Sequence, residues 1–182
     1  MKELSLNILD IAKNSTKARA TLVEIILEET DEVLTITIKD NGTGMTEETL
    51  LSVTSPFSTS RTTRKVGMGI PLFKFAAEQT GGSLSIESKH IDKYPEGHGT
   101  SISAVFYKNH IDFTPLGDVT SSVVTLIQGN PDIDFIFLHK MKNAEVSLDT
   151  RELREVLEDV PLDSFEVLNW IEENLTEQYN SI

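Results

Sequence analysis

Three short segments hold the residues of this chain that can do chemistry: Asp10-x-x-x-Asn14, Asp40-Asn41-Gly42-Thr43-Gly44-Met45 and Gly67-Met68-Gly69-Ile70. An Asn amide oxygen such as that of Asn14 can ligand Mg²⁺, which takes octahedral oxygen coordination and keeps water and phosphate among its ligands. Asp10, one helical turn earlier, can orient or deprotonate a water; Lys17, nearly a turn later, can meet phosphate. Asp40 ends a strand-like run and can accept a hydrogen bond from an exocyclic amine such as adenine's. Gly42 and Gly44 permit a sharp turn and the approach of a planar ligand that a Cβ would block. Gly67-x-Gly69 precedes a helical pattern, so its amides and the helix N-terminus can bind phosphate. Arg61, Arg64 and Lys65 form a basic cluster in the stretch that would close over those phosphates. Each piece also has a plain use. Asn-Gly and Asp-Gly close hairpins cheaply, lone Gly-x-Gly pairs loosen loops, and a polar stripe on a greasy helix is its solvent side.

The elements that must position these residues read clearly. Leu4, Leu6, Ile8, Leu9, Ile11 and Ala12, then Ala18, predict a helix over about residues 3–19, with Asn7, Asp10, Asn14 and Lys17 on one stripe. Residues 21–27 and the strictly alternating 33–39 predict a hairpin across Glu29-Thr30-Asp31-Glu32. A short helix over 45–53 has Thr46 as cap. Residues 54–68 lack periodicity and read as a mobile loop. A helix over 70–79 has Pro71 in its first turn and stops at Gly81-Gly82; strands over 83–89 and 100–107 follow. Beyond residue 108, Asp118 caps a helix ending at Gly129, residues 135–141 and 144–148 form a hairpin, and two acidic amphipathic helices close the chain. The second of these is expected to start on Asp163 as cap with Glu166 as its capping-box partner.

Composition narrows the partners. Residues 1–108 hold 12 Lys and Arg against 14 Asp and Glu, a net of −2; residues 109–182 hold 4 against 15, a net of −11. So acidic a tail repels a phosphate backbone, which argues against nucleic acid as a partner. It reads first as a solvated helical face and second as a docking surface for a basic partner. Cysteine is absent, excluding disulfides and thiolate metal sites. The four histidines, His90, His98, His110 and His139, lack metal-ligand spacing and read as surface or loop residues. No stretch reaches the roughly 18 apolar residues of a membrane span, and the N-terminus is no signal peptide, so the expected compartment is the cytoplasm.

The order helix with Asp-x-x-x-Asn, strand pair, Asp-x-Gly-x-Gly, loop, Gly-x-Gly-helix and Gly-Thr on a strand resembles the GHKL ATPase superfamily. That superfamily joins DNA gyrase B subunits, ninety-kilodalton heat-shock chaperones, histidine kinases and MutL. The resemblance covers residues 3–108. It implies a two-layer α/β sandwich (α+β class) over residues 1–108; residues 109–182, which it does not cover, read from their own pattern as a smaller acidic α/β extension. It also implies ATP and Mg²⁺ as ligands. Asn14-Ser15-Thr16-Lys17-Ala18 is similar to the histidine-kinase N box, in which the Asn holds Mg²⁺ and the Lys nears phosphate. Asp40 to Met45 resembles the first glycine box, its Asp on adenine; Gly67-Met68-Gly69-Ile70 resembles the second. Ser55 to Arg61 looks like the entry of a lid, with Arg61 on phosphate, and Gly99-Thr100 like the Gly-Thr that supports adenine. Hydrolytic members carry Glu where this chain has Asp10, a side chain one methylene shorter, so binding is better supported than turnover. The hairpin that bears the phosphoacceptor His of a histidine kinase is not expected, since the N-box helix starts almost at Met1. The expected role is therefore a nucleotide-dependent regulatory protein with a protein partner, with a kinase acting in trans on a partner His or Ser, or a slow ATPase, as alternatives.

Overall fold

Strict alternation makes the strands. Residues Val33–Asp40 bury Leu34, Ile36 and Ile38 while Thr35, Thr37 and Lys39 point to the other side, the period-2 pattern of a sheet with one covered face. The structure, a computed structural model, describes residues 3–54 and 68–182. Arg61, Arg64, Lys65, Gly67 and nearly all of the expected loop lie outside the described residues.

In chain order the elements are α1 (Leu4–Lys17), β1 (Leu22–Glu29), β2 (Val33–Asp40), α2 (Glu47–Thr54), α3 (Gly69–Gln79), β3 (Ser83–Lys89), β4 (Gly99–Tyr107), α4 (Val119–Gly129), β5 (Asp134–Lys140), β6 (Glu145–Asp149), α5 (Thr150–Leu157) and α6 (Phe165–Asn180). The strands form one six-stranded sheet in the order β3-β4-β2-β1-β5-β6. All neighbours are antiparallel except β1 and β5. The fold is the expected two-layer α/β sandwich: α1 packs on β1 and β2, α3 on β3 and β4, α4 on α1 and β5, and α6 on α4 and β6.

The register decides what meets at one end of the sheet. Asp40 lies opposite Thr100, and Thr100 opposite Ser88, so β2, β4 and β3 carry these three residues in one row. Helix α1 is pinned over that end by its buried stripe Leu4, Ile8, Ile11 and Ser15, spaced three and four apart. The Phe73 and Phe106 rings, both fully buried with centroids 5.5 Å apart, fasten α3 to β4; an aromatic pair of this kind adds about 0.5–1.5 kcal/mol beyond area burial.

Residues 109–182 are joined to the rest through backbone as well as side chains. Leu4 and Ser5 donate their N–H groups to the Pro115 and Leu116 carbonyls, and the Asp118 N–H donates to Glu3. Strand β5 continues the sheet beside β1, and Phe135, Phe137, Val146 and Leu148 join the same hydrophobic core as Ile25 and Ile36.

Three local expectations are corrected. The last helix starts one residue later than expected, with Ser164 rather than Asp163 at its N-cap, and that cap makes no side-chain bond. Asn7 is buried, so the polar stripe of α1 is split: Asp10 and Lys17 are exposed and Asn14 half-buried. His139 is no surface histidine. It shares the parity of Phe135 and Phe137 on β5, is 2% exposed, and bonds Glu29 through Nε2 and the Tyr179 hydroxyl through Nδ1. Lys108 pairs with the other Glu29 oxygen, linking the ends of β1, β4, β5 and α6. Among the described residues no helix is long and apolar enough to cross a membrane.

Candidate functional site

Asp40 is the fixed point of the site. Its Oδ1 accepts from the Gly42 N–H at 2.9 Å and the Thr100 N–H at 3.3 Å, and its Oδ2 from the Ser15 hydroxyl at 2.6 Å. Three donors from three elements hold the carboxylate in one orientation, and lone pairs remain for a further donor. The turn after it is stitched on both sides. The Thr43 N–H donates to the Ala18 carbonyl, and the Met45 N–H to Ser88 Oγ at 2.7 Å, which shares a 2.8 Å bond with Thr100 Oγ1. Asn41 turns away and closes onto Thr21 and Leu22, a structural use of that side chain.

The glycines of the turn serve the protein's own packing. A Cβ on Gly42 would stand 2.7 Å from the Ala18 carbonyl oxygen. Gly44 has φ +70° and a Cβ there would overlap the Lys89 carbonyl, so no other residue fits without moving β3. Gly44 also lines the site, whereas Gly42 is buried behind Asp40.

A cavity of about 210 Å³ opens between α1, the turn, α3 and β4. Of the residues expected from sequence, Asn14, Lys17, Asp40, Gly44, Met45, Ile70 and Thr100 line it. Ile11, Ser15, Thr49 and Ile102 line it too and were not singled out from sequence. Ile11, Met45, Ile70 and Ile102 give it apolar walls while Asp40 and Asn14 mark polar points, a lining suited to a flat heterocycle with an amine edge. Ser15 falls on the buried stripe of α1, and its period, four residues after Ile11 and three after Ala12, is the signal that could have found it. Ser88 could have been found from the parity of β3, which puts it on the face of Leu84 and Ile86.

Gly69 begins α3, with its Cβ position 3.4 Å from the Asp10 Cβ; Met68 precedes it, exposed, and no side chain among the described residues caps the helix. Asp10, Met68 and Gly69 therefore cluster beside the cavity rather than in its wall. Arg61 and Gly67 lie outside the described residues. Among the described residues no group of three His, Cys, Asp or Glu side chains is poised to hold a metal.

Comparison with known proteins places these features in a family. The sequence model described as histidine kinase-, DNA gyrase B-, and HSP90-like ATPase matches residues 1–110. The DNA mismatch repair protein MutL of Listeria monocytogenes is 26% identical over 180 residues, covering 81% of this chain and 30% of MutL. The sensor histidine kinase YvrG of Bacillus subtilis is 28% identical over 94 residues, covering 50% of this chain and 15% of the kinase. The chain thus spans less than a third of the length of these relatives. Among solved structures, the Aquifex aeolicus MutL ATPase domain complexed with ADP superposes with a TM-score of 0.56 at 15% identity, over 87% of this chain and 70% of that one.

Proposed function

We propose, since the chain belongs to the histidine kinase-, DNA gyrase B-, and HSP90-like ATPase family, that its cavity binds ATP with Mg²⁺ and that it works in the cytoplasm as a nucleotide-dependent regulator of a protein partner. The observation that carries this reading is the Asp40 carboxylate, oriented by Ser15, Gly42 and Thr100 at a cavity with apolar walls. In this reading Asp40 accepts the exocyclic amine of adenine, with Thr100 beneath it. Met45, Ile70 and Ile102 sandwich the base. Lys17 meets phosphate, and the start of α3 at Met68 and Gly69 offers amides to it. The ADP of the Aquifex relative supports the ligand class.

The residues present fit Mg²⁺ delivered with the nucleotide. Asn14 brings a neutral amide oxygen from α1 to the cavity, the neighbouring Ser15 hydroxyl being engaged by Asp40, and Mg²⁺ commonly takes its other ligands from phosphate and water. When bound, the ion would neutralise charge on the phosphate oxygens.

Calorimetric titration of the full chain with ATP and Mg²⁺ tests the reading. Wild type should bind. Asp40→Asn should bind at least about tenfold more weakly, since an amide in place of one carboxylate oxygen loses an acceptor worth roughly 1.4 kcal/mol or more. Equal affinity of the two proteins, or no binding by wild type, would defeat the proposal.

A second reading, turnover, is favoured by the position of Asp10, exposed one turn before Asn14 and against Gly69. There it would take a proton from water as the water oxygen bonds the γ-phosphorus and the bond to the β–γ bridging oxygen breaks, releasing ADP and phosphate. Asp10→Asn should then stop steady phosphate release while leaving ATP affinity intact. Transfer of labelled γ-phosphate to a co-purifying protein would instead indicate a kinase acting in trans.

A further inference from the structure

A second cavity, of about 260 Å³, lies in the C-terminal half, where β5 and β6 meet α5 and α6. Its walls include Ile136 and Leu138 from β5, Leu153 from α5 and Trp170 from α6. None of these belongs to the nucleotide cavity. Trp170 is 49% exposed, and the same helices and the loop between them expose Val156, Val160 and Phe165. An indole half in water, over a concavity of branched aliphatic side chains, is the anatomy of an anchor site for one large apolar side chain.

The charge around it is one-sided. Glu152 lines the cavity beside Leu153, while Glu166 and Glu173 flank Trp170 on α6 at spacings of four and three. Among the described residues none of these three carboxylates is in an ion pair, whereas Asp149 is neutralised by Arg151 and Asp134 by Arg154. The segment 109–182 as a whole carries a net charge of −11. Strand addition is blocked at this edge. The Gln178 amide accepts from the Ser147 N–H at 2.9 Å and donates to the Ser147 carbonyl at 3.0 Å, occupying the backbone groups at the middle of β6 that an added strand would need.

We propose that this cavity is a docking site for a protein partner's Lys- or Arg-rich segment that inserts one large apolar side chain between Leu153 and Trp170. The apolar contact supplies the anchor and the unpaired Glu152, Glu166 and Glu173 select for flanking cations. The site is independent of nucleotide. A partner held here is bound to a surface away from Asp40, and the proposal stands or falls apart from the ATP reading.

Trp170 is the single tryptophan of the chain, so its fluorescence reports on this site alone. The full chain is titrated with the peptide acetyl-Lys-Lys-Leu-Lys-Lys-amide and with the same peptide carrying Ser in place of Leu. The Leu peptide should shift Trp170 emission to the blue and saturate. The Ser peptide should bind about tenfold more weakly, the loss expected for leaving one Leu side chain unburied. Glu152→Lys, at an exposed position, should weaken the Leu peptide several-fold with an unchanged circular dichroism spectrum. Asp40→Asn should bind it as wild type does. Equal binding of the Leu and Ser peptides would reduce the site to bulk attraction by an acidic tail and overturn the proposal. So would absence of Leu-peptide binding, or indifference to Glu152→Lys.

Discussion

Replacing Ser15 by Ala isolates the step by which the fold orients Asp40. The two side chains differ by one hydroxyl, and Ser15 is 4% exposed, so the change opens almost no space. What it removes is the 2.6 Å bond to Asp40 Oδ2, the one hydrogen bond of that oxygen among the described residues. Hydrogen bonds to charged groups contribute roughly 1.5–3 kcal/mol. Asp40 is half-buried, and in the free protein water can replace the lost donor, which brings the cost to stability below that range, to about 1 kcal/mol. A bound base excludes that water. The remaining bonds from Gly42 and Thr100 both fall on Oδ1, so Oδ2 is then free to turn away from its partner. Nucleotide affinity should therefore fall by about tenfold, near 1.4 kcal/mol, while Tm drops only roughly 2–4 °C. Calorimetric titration and a thermal melt on the same preparation read the two quantities. An affinity within about twofold of wild type, in a folded protein, would refute the idea that Ser15 presets the carboxylate.

Other expectations follow from the same contacts. Gly44→Ala must force φ +70° on a residue with a Cβ and push it into the Lys89 carbonyl, and should cost about 2 kcal/mol or more, roughly 4–8 °C in Tm. Gly97→Ala, at φ +73° but with nothing within 4 Å among the described residues, should cost only about 1 kcal/mol, and equal melts for the two would remove the steric explanation. Phe73→Ala and Phe106→Ala should each cost about 3–5 kcal/mol by urea unfolding, and their double mutant should fall short of the sum by about 0.5–1.5 kcal/mol, because each ring buries the other. Acid should weaken the fold through the Glu29–His139 pair. Burial lowers His139 below its ordinary 6.5 against the pull of Glu29. Burial alone would raise the Glu29 carboxyl, but its bonds from Lys108 and His139 outweigh that and leave it below 4.5. Both groups thus bind protons less readily folded than unfolded. Their stabilisation is complete above about pH 6.5 and is lost as pH falls, first through His139 and then through Glu29. Urea melts at a series of pH values should show this slope, and His139→Gln should flatten its upper part; a fold that gains stability on acidification between about pH 6.5 and 5 would contradict it.

Much of the site was legible because its pieces are local. Asp10-x-x-x-Asn14 spans one helical turn, Asp40 ends a strand whose alternation is unbroken, and the hairpin of β1 and β2 and the Asp118 cap need only neighbouring residues. The same reasoning failed where an isolated residue type outweighed periodicity. His139 looks like a surface residue by type, yet its parity with Phe135 and Phe137 puts it inside, bonded to Glu29 across a strand pairing that no short window contains. Asp163 is a good cap residue, but the helix begins one position later because Ser164 holds the extended conformation there.

The sequence by itself determined element types, the order of the glycine segments and the acidic character of residues 109–182, because periods of two and 3.6 residues and charge are properties of neighbouring side chains. Tertiary structure alone decided that Ser15, Gly42 and Thr100 all donate to one carboxylate, that Gly42 and Gly44 make room for Ala18 and Lys89, and that β5 pairs in parallel with β1 and brings Trp170 to a second cavity. These depend on which distant surfaces pack and in what register. That choice is made by the shape of the whole core, which brings together residues 25 and 60 positions apart in the chain at one carboxylate.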